Sequence, residues 1–301
     1  MSNISIQKLH TFLGHNDSIY ALCVIDEKRF LSAGGDGMVV LWDLANPNEG
    51  EVVAKVGGSV YSIAYEPQTG SIYIGHNNQG IHKIDLKTKK ELASIQLGNH
   101  QIYDIELVDD SIWIGLQSGE IVVLSPTLDV LQRQKVTTDR IRNISRFDDQ
   151  LAIASSDHTI RVKEFRSNKE FNLLRGHKNS VFAAKYHPSG KYLASAGRDA
   201  HLCIWDTNEN YLLRESIAAH LFTINDLVFS RDGRYFVTAS MDKTIKLWDA
   251  YNFKLLKVLD KHRHAGHGNS VNKLIWMDYQ DLLVSCSDDR SMSIWKIDFE
   301  E

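Results

Sequence analysis

Four residue types recur at fixed distances from one another at four places along this 301-residue chain. Each copy contains a His, a Ser or Thr, an Asp four residues after that hydroxyl, and a Trp. The His-to-Asp distance is 21 residues in the first copy and 22 in the others, and the Asp-to-Trp distance is always 6. The copies are His15, Ser32, Asp36, Trp42; His177, Ser195, Asp199, Trp205; His220, Thr238, Asp242, Trp248; and His267, Ser285, Asp289, Trp295. Such repetition predicts several similar structural units.

The middle of the chain carries three weaker copies of the same unit. Their Trp positions hold Ile84, Leu124 and Lys163, and their Asp positions hold Asn78, Ser118 and Asp157. Apolar residues recur in short runs bounded by turn residues, which favours strands over helices. In the fourth unit Arg146 stands where an apolar residue is expected, which leaves its register open by one residue. Seven units of about 43 residues, each with four short strands, are typical of propeller blades.

On these residues the chain resembles the WD40-repeat β-propeller family, which includes the heterotrimeric G-protein β subunits. The resemblance covers essentially the whole chain and implies an all-β fold, a single closed seven-bladed propeller over residues 1–301. The expected repeats are residues 10–50, 51–91, 92–130, 131–170, 171–211, 212–254 and 255–301. Residues 4–9 are expected to pair with residues 293–298 as the outer strand of blade 7. This closure would leave no exposed sheet edge between the first and last blades.

The resemblance also implies that each His, hydroxyl, Asp and Trp set is a hydrogen-bonded structural tetrad within its blade. A Ser, a His and an Asp together are also found in hydrolase active sites. Here the set occurs four times and no copy is distinguished from the others. We therefore expect a structural role, no catalytic residues, no enzyme activity and no cofactor.

In this family the turns around the mouth of the central channel form a face that often binds partners. Its positions lie three and five residues after each tetrad His and one residue before each tetrad Asp; in blade 6 they are Thr223, Asn225 and Met241. The candidate partner-binding residues at these positions are aromatic or basic: Tyr20, Tyr61, Tyr103, Arg140, Arg142, Phe182 and Arg198. Aromatic and Arg side chains dominate binding hot spots and suit a protein or peptide with an apolar anchor and an acidic residue. The open alternative is that the aromatic rings only cap the inner strands and line the channel.

Two other kinds of ligand are less favoured. Aromatic and Arg side chains can stack RNA bases, so association with RNA or a ribonucleoprotein is the second hypothesis. The formal net charge of -4 argues against nucleic acid. His262 and His264 lie close together in sequence and could bind a metal, but Arg263 between them would repel a cation and His267 belongs to a tetrad. We expect no functional metal.

Composition limits where the protein works. Three cysteines, Cys23, Cys203 and Cys286, do not make a disulfide framework. There is no run of 18 apolar residues and no apolar leader at the N-terminus. We expect a cytoplasmic protein that makes no contact with membranes, is monomeric by itself and works within a complex.

Overall fold

Four antiparallel strands recur in seven sheets. The computed structural model describes residues 4–77, 80–167 and 170–299, and within these ranges 28 strands form seven four-stranded sheets. The sheets are the blades of a β-propeller, so the predicted fold class is confirmed. Asn78, the residue at the Asp position of blade 2, lies outside the described residues.

The strands are numbered in chain order, and the first of them, β1 (Ile4–Phe12), belongs to the last blade. From the channel outward, blade 1 consists of β2 (Ile19–Val24), β3 (Arg29–Gly34), β4 (Met38–Asp43) and β5 (Glu51–Lys55). Blade 2 consists of β6 (Val60–Glu66), β7 (Ser71–His76), β8 (Gly80–Asp85) and β9 (Glu91–Ile95). Blade 3 consists of β10 (Ile102–Val108), β11 (Ser111–Leu116), β12 (Glu120–Leu124) and β13 (Val130–Lys135). Blade 4 consists of β14 (Ile141–Phe147), β15 (Gln150–Ser155), β16 (Thr159–Glu164) and β17 (Asn172–Arg175).

The remaining blades follow the same order. Blade 5 consists of β18 (Val181–Tyr186), β19 (Tyr192–Gly197), β20 (His201–Asp206) and β21 (Leu212–Ala218). Blade 6 consists of β22 (Ile224–Phe229), β23 (Tyr235–Ser240), β24 (Ile245–Asp249) and β25 (Leu255–Leu259). Blade 7 consists of β26 (Val271–Met277), β27 (Leu282–Ser287), β28 (Met292–Phe299) and β1. A one-turn helix, α1 (Lys261–His264), precedes β26, and a 3-10 turn covers Tyr279–Asp281.

The hydrophobic core is divided into layers between neighbouring blades. One layer joins blades 1 and 2 through residues such as Leu31, Val39, Ile63 and Ile74. The second strand of each blade is buried along most of its length because both of its faces are covered. Sheets covered on both faces carry continuous apolar runs instead of alternating patterns, which is why these strands read as unbroken apolar segments in the sequence.

The ring of blades closes through β1, which pairs antiparallel with β28 from Ile4 opposite Phe299 to Phe12 opposite Met292. The strand is three residues longer than the predicted residues 4–9. The reason lies at its C-terminal end, where Phe12 is buried and packs against Phe30 and Trp42 of blade 1, with ring centroids 5.6 and 4.9 Å away. This strand therefore bridges blade 7 and blade 1.

Blade 4 keeps the register that the other blades follow. Arg146 pairs with Leu151, just as the corresponding inner-strand residue Leu107 pairs with Ile112 in blade 3. The register of blade 4 is therefore not shifted by one residue. Its guanidinium lies 4.9 Å from the ring of Phe165 and pairs with Asp109 at 2.8 Å. Stacking and an ion pair thus replace the apolar contact that the pattern predicts here.

Among the described residues, none of the helices is long or apolar enough to cross a membrane.

Candidate partner-binding site

Each of the four predicted tetrads is present as a continuous hydrogen-bonded chain in the described residues. The Trp indole N–H donates to the Ser or Thr oxygen at 2.8–2.9 Å. That hydroxyl lies 2.7–2.8 Å from His Nε2, and His Nδ1 lies 2.8–3.0 Å from an Asp oxygen. The indole can only donate, so its N–H takes up a lone pair of the hydroxyl oxygen. The hydroxyl hydrogen then donates to Nε2, and Nδ1–H donates to the carboxylate. Every polar atom of the chain then has a partner.

The tetrad carboxylate also holds the turn that leads to the channel mouth. In blade 6, Asp242 accepts from the backbone N–H of Leu221 at 3.1 Å and from the hydroxyl of Thr244 at 2.6 Å. Burial by itself would raise the pKa of Asp242, but the hydrogen bond from His220, together with these donors, holds it below its usual range. The tetrad hydroxyls are fully buried, so substrate could not reach them as it would a hydrolase nucleophile.

The blades without a tetrad Trp contain other polar groups, as blades 4 and 2 show. Blade 4 keeps a shorter network in which Thr137 and Arg161 donate to Asp157, each at 2.7 Å. In blade 2, His76 and His82 face each other with ring centroids 6.0 Å apart. Within the described ranges, neither ring nitrogen of His76 has a hydrogen-bond partner, and Nε2 of His82 also has none. Blade 2 therefore has a buried imidazole beside a partly buried one, whereas the four tetrad blades each bury one imidazole with a carboxylate.

This arrangement predicts acid sensitivity in blade 2. Burial, and the neighbouring His82, lower the pKa of His76 from its ordinary 6.5. The unfolded chain therefore takes up a proton near that value while the folded chain does not, so the free energy of unfolding falls as pH drops below it. Leu116 holds the corresponding position in blade 3. When the pH is lowered from about 7.5 to about 5.5, we expect the free energy of unfolding to fall less in His76→Leu than in the wild type. Urea unfolding at the two pH values measures this difference, and equal losses would contradict the expectation.

The residues that surround the channel mouth occupy one structural position in every blade. Each inner strand has a register shift after its first residue, as between Ile19 and Ala21 in blade 1. The residue skipped at the shift is second in its strand, and a bulge of this kind turns a side chain out of the regular pairing. The seven bulge residues are Tyr20, Tyr61, Tyr103, Arg142, Phe182, Asn225 and Asn272.

Five of these bulge residues form a continuous stack, which we call the mouth ladder: Tyr20, Tyr61, Tyr103, Arg142 and Phe182. The ring centroids of Tyr20 and Tyr61 are 4.8 Å apart, and those of Tyr61 and Tyr103 are 5.7 Å apart. The Arg142 guanidinium lies between two rings, 4.4 Å from that of Tyr103 and 4.8 Å from that of Phe182. These spacings are typical of aromatic and cation–π pairs. All five side chains are partly exposed.

Three arginines give this side of the mouth a positive charge. Arg142 Nε donates to the hydroxyl of Ser156 at 2.8 Å, and burial lowers the pKa of its guanidinium. Arg140 and Arg198 are exposed beside it, on the turns of blades 4 and 5. Within the described ranges, none of the three has a carboxylate oxygen within 4.0 Å. The structure thus brings all seven predicted partner-binding residues to one face, where none of the three arginines forms an ion pair among the described residues.

The sequence-based selection omitted three apolar residues on the same face. Leu221, Phe222 and Met241 in blade 6 are 84%, 59% and 55% exposed. Met241 stands at one of the positions that define the face, but it is neither aromatic nor basic. Leu221 and Phe222 lie one and two residues after the tetrad His, outside those positions. The signal was available in the sequence, since blades 1, 5 and 7 have polar residues or Gly at these places.

The histidine-rich segment before blade 7 is a structured turn. Here α1 begins after Asp260, whose carboxylate accepts from the backbone N–H of Arg263 at 2.8 Å. His262 and His264 lie in this turn, while His267 is held in the tetrad. In the part of the chain that the structure describes, no three His, Cys, Asp or Glu side chains are placed to bind a metal ion.

Comparisons with known proteins agree with this geometry. The chain is 24% identical over 288 residues to telomerase protein component 1 of Rattus norvegicus, covering 89% of this chain and 10% of that protein. It is 33% identical over 124 residues to pre-mRNA-splicing factor cwf17 of Schizosaccharomyces pombe, covering 40% of this chain and 34% of that factor. The chain thus spans about a third or less of the length of these two relatives.

A solved structure and a family description extend the likeness to the fold. The WD40 β-propeller domain of Doa1 superposes with a TM-score of 0.83 over 97% of both chains at 17% identity. The family described as WD domain, G-beta repeat, matches residues 6–43, 168–206, 212–249 and 254–296, just over half of the chain. The matched segments contain the four tetrads, whereas blades 2 and 3 and the first three strands of blade 4 lie outside them. The chain therefore belongs to the WD40 repeat family.

Proposed function

We propose that this propeller is a non-catalytic scaffold that binds a protein or peptide through the channel-mouth face. The observation that supports this most is the mouth ladder, in which Arg142 is stacked between two aromatic rings without a carboxylate partner in the described residues. Stacking replaces only part of the hydration that the guanidinium gives up, so a partner carboxylate would find a positioned, partly desolvated cation. Arg140 and Arg198 add positive charge on the turns of blades 4 and 5.

The partner class follows from this chemistry. The ladder offers flat apolar surface and the arginines offer bidentate donors, which suits a peptide with an apolar residue and an acidic residue. The relatives named above carry telomerase and splicing in their names, and membership in larger assemblies is consistent with a scaffold role for this chain. A cytoplasmic location remains a prediction, which fluorescence microscopy of the tagged protein would test.

Affinity purification with mass spectrometry tests the proposal. We expect wild-type protein to retain a defined set of partners that the Tyr61→Ala/Tyr103→Ala/Arg142→Ala variant loses. Because these side chains are partly exposed, the variant should melt within a few degrees of the wild type. The matched control is Arg231→Ala/Tyr251→Ala. It removes an exposed arginine from the turn after β22 and an exposed tyrosine from the turn after β24, both in blade 6. Unchanged partners in the ladder variant would reject the site.

Binding of RNA is the alternative outcome, since the same stack of rings and guanidinium could hold unpaired bases. Filter binding of single-stranded RNA at increasing salt separates the two. A protein-binding mouth predicts little RNA retention at physiological salt. Tight retention that falls steeply with salt, and that is lost in the ladder variant, would favour RNA.

A further inference from the structure

Blade 6 presents apolar side chains at turn positions that its sister blades fill with polar ones. The residues one and two after the tetrad His are Asn16 and Asp17 in blade 1, Lys178 and Asn179 in blade 5, and Gly268 and Asn269 in blade 7. Blade 6 has Leu221 and Phe222 there. Before the tetrad Asp, the same blades have Gly35, Arg198 and Asp288, and blade 6 has Met241. The internal repeat of the fold thus provides its own comparison.

Presenting Phe222 costs blade 6 a hydrogen bond that its sisters make. The side-chain oxygens of Asp17, Asn179 and Asn269 accept from the next backbone N–H at 2.7, 2.8 and 2.9 Å. Blade 4 repeats this cap through Asp139 and the N–H of Arg140, at 2.7 Å. A phenylalanine side chain has no acceptor, so Thr223 N–H lacks this partner. The residue that replaces the cap is large, apolar and 59% exposed.

The apolar residues are held in place by the buried framework. Asp242 of the tetrad accepts from Leu221 N–H, and the hydroxyl of Ser240 donates to the carbonyls of Phe222 at 3.3 Å and Thr223 at 2.9 Å. In blade 1, a Cβ built on Gly35 would lie 2.6 Å from the Asp17 carboxylate. In blade 6 the backbone N–H of Met241 donates to the carbonyl of Thr223 at 2.9 Å, which places Met241 beside the turn that carries Phe222. A fixed cluster of exposed apolar side chains is typical of a binding surface.

The charges beside this cluster differ between its two sides. Blade 5 carries Lys178 and Arg198 at the corresponding exposed positions, whereas blade 7 carries Asp288. An acidic group in a bound peptide would therefore be attracted toward the two cations of blade 5. The mouth ladder ends at Phe182, also in blade 5, so the cluster continues the surface of the proposed site.

We propose that Leu221, Phe222 and Met241, the blade 6 platform, bind a bulky apolar side chain of a partner peptide whose acidic residue lies toward Lys178 and Arg198. This inference rests on the proposed function and adds to it a further anchor, for a second apolar residue of the peptide, and the direction of the bound chain. The anchor lies on blade 6, beyond the end of the mouth ladder.

A random dodecapeptide phage library panned on the purified full-length chain tests the platform. We expect the enriched peptides to share a bulky apolar residue close to Asp or Glu. A synthetic, fluorescein-labelled copy of one enriched peptide should bind the Leu221→Ser/Phe222→Ser variant about tenfold or more weakly than wild type. Arg198→Glu should weaken the same peptide, and its acid-to-amide analogue should be insensitive to that change.

The control variant is Val130→Ser/Leu131→Ser, which removes two exposed apolar side chains, 51% and 60% exposed, from the outer strand of blade 3. Both double variants should melt close to wild type, and the control should bind the peptide with unchanged affinity. Enriched peptides that are acidic without a shared apolar residue, or that bind the platform variant normally, would overturn the platform and leave the proposed function intact. A library with no enriched peptides would count against both.

Discussion

Replacing Asp242 by Ala is expected to lower the free energy of unfolding by about 3–5 kcal/mol. The carboxylate is nearly buried and accepts from His220, from the N–H of Leu221, and from the N–H and hydroxyl of Thr244. Alanine leaves the buried imidazole of His220 and the partly buried donors of Thr244 without this acceptor, and each unsatisfied group costs about 1–3 kcal/mol. The loss should be shared across the blade, because His220 also orients the hydroxyl of Thr238.

Urea unfolding followed by circular dichroism measures this effect. The free energy of unfolding of Asp242→Asn should lie between those of the wild type and Asp242→Ala. The amide oxygen can still accept a hydrogen bond, but the NH₂ group faces other donors. Asp110→Ala removes an exposed carboxylate from the turn between β10 and β11 and should change stability by no more than about 0.5 kcal/mol. If Asp242→Ala were as mild as this control, the tetrad would not be a major source of stability.

Deleting residues 1–10 is expected to lower the melting temperature on the order of 10 °C, which corresponds to several kcal/mol in a domain of this size. The deletion removes most of the β1–β28 ladder and the buried side chain of Ile4, which packs with blades 6 and 7. It also leaves β28 as an exposed edge beside the buried Trp295 and Ile297. Blade 7 would then hold blade 6 and blade 1 together with three strands.

Calorimetry of the truncated protein tests the closure. A synthetic peptide of residues 1–12 added in trans should restore part of the lost stability, because it can re-form the outer strand by backbone pairing. The matched control is Leu9→Ser, which changes one exposed side chain and keeps the strand. Unfolding of the truncated protein at the wild-type temperature would show that β1 does not close the ring.

Much of the framework was readable from the sequence because the tetrads are local to a blade. The His, hydroxyl, Asp and Trp of one tetrad span fewer than 30 residues, for example His15 to Trp42, and their spacing follows from strand and turn lengths that repeat. The same regularity placed Tyr20, Tyr61 and Tyr103 at one position in three blades. It also placed β1 beside β28, although its end at Phe12 depends on packing against blade 1.

The sequence alone determined the number of blades, the tetrads and the position of the channel-mouth residues, since each depends on distances counted along one chain. The tertiary structure decided what these residues do together. Tyr61 and Tyr103 are 42 residues apart in sequence, and only the ring of blades brings their rings within 5.7 Å. The shared bulge turns these side chains to the mouth, and neighbouring blades leave Arg142 without a carboxylate among the described residues. The exposure of Leu221 and Phe222 arises in the same way, because a turn is solvent-facing only when no adjacent blade covers it.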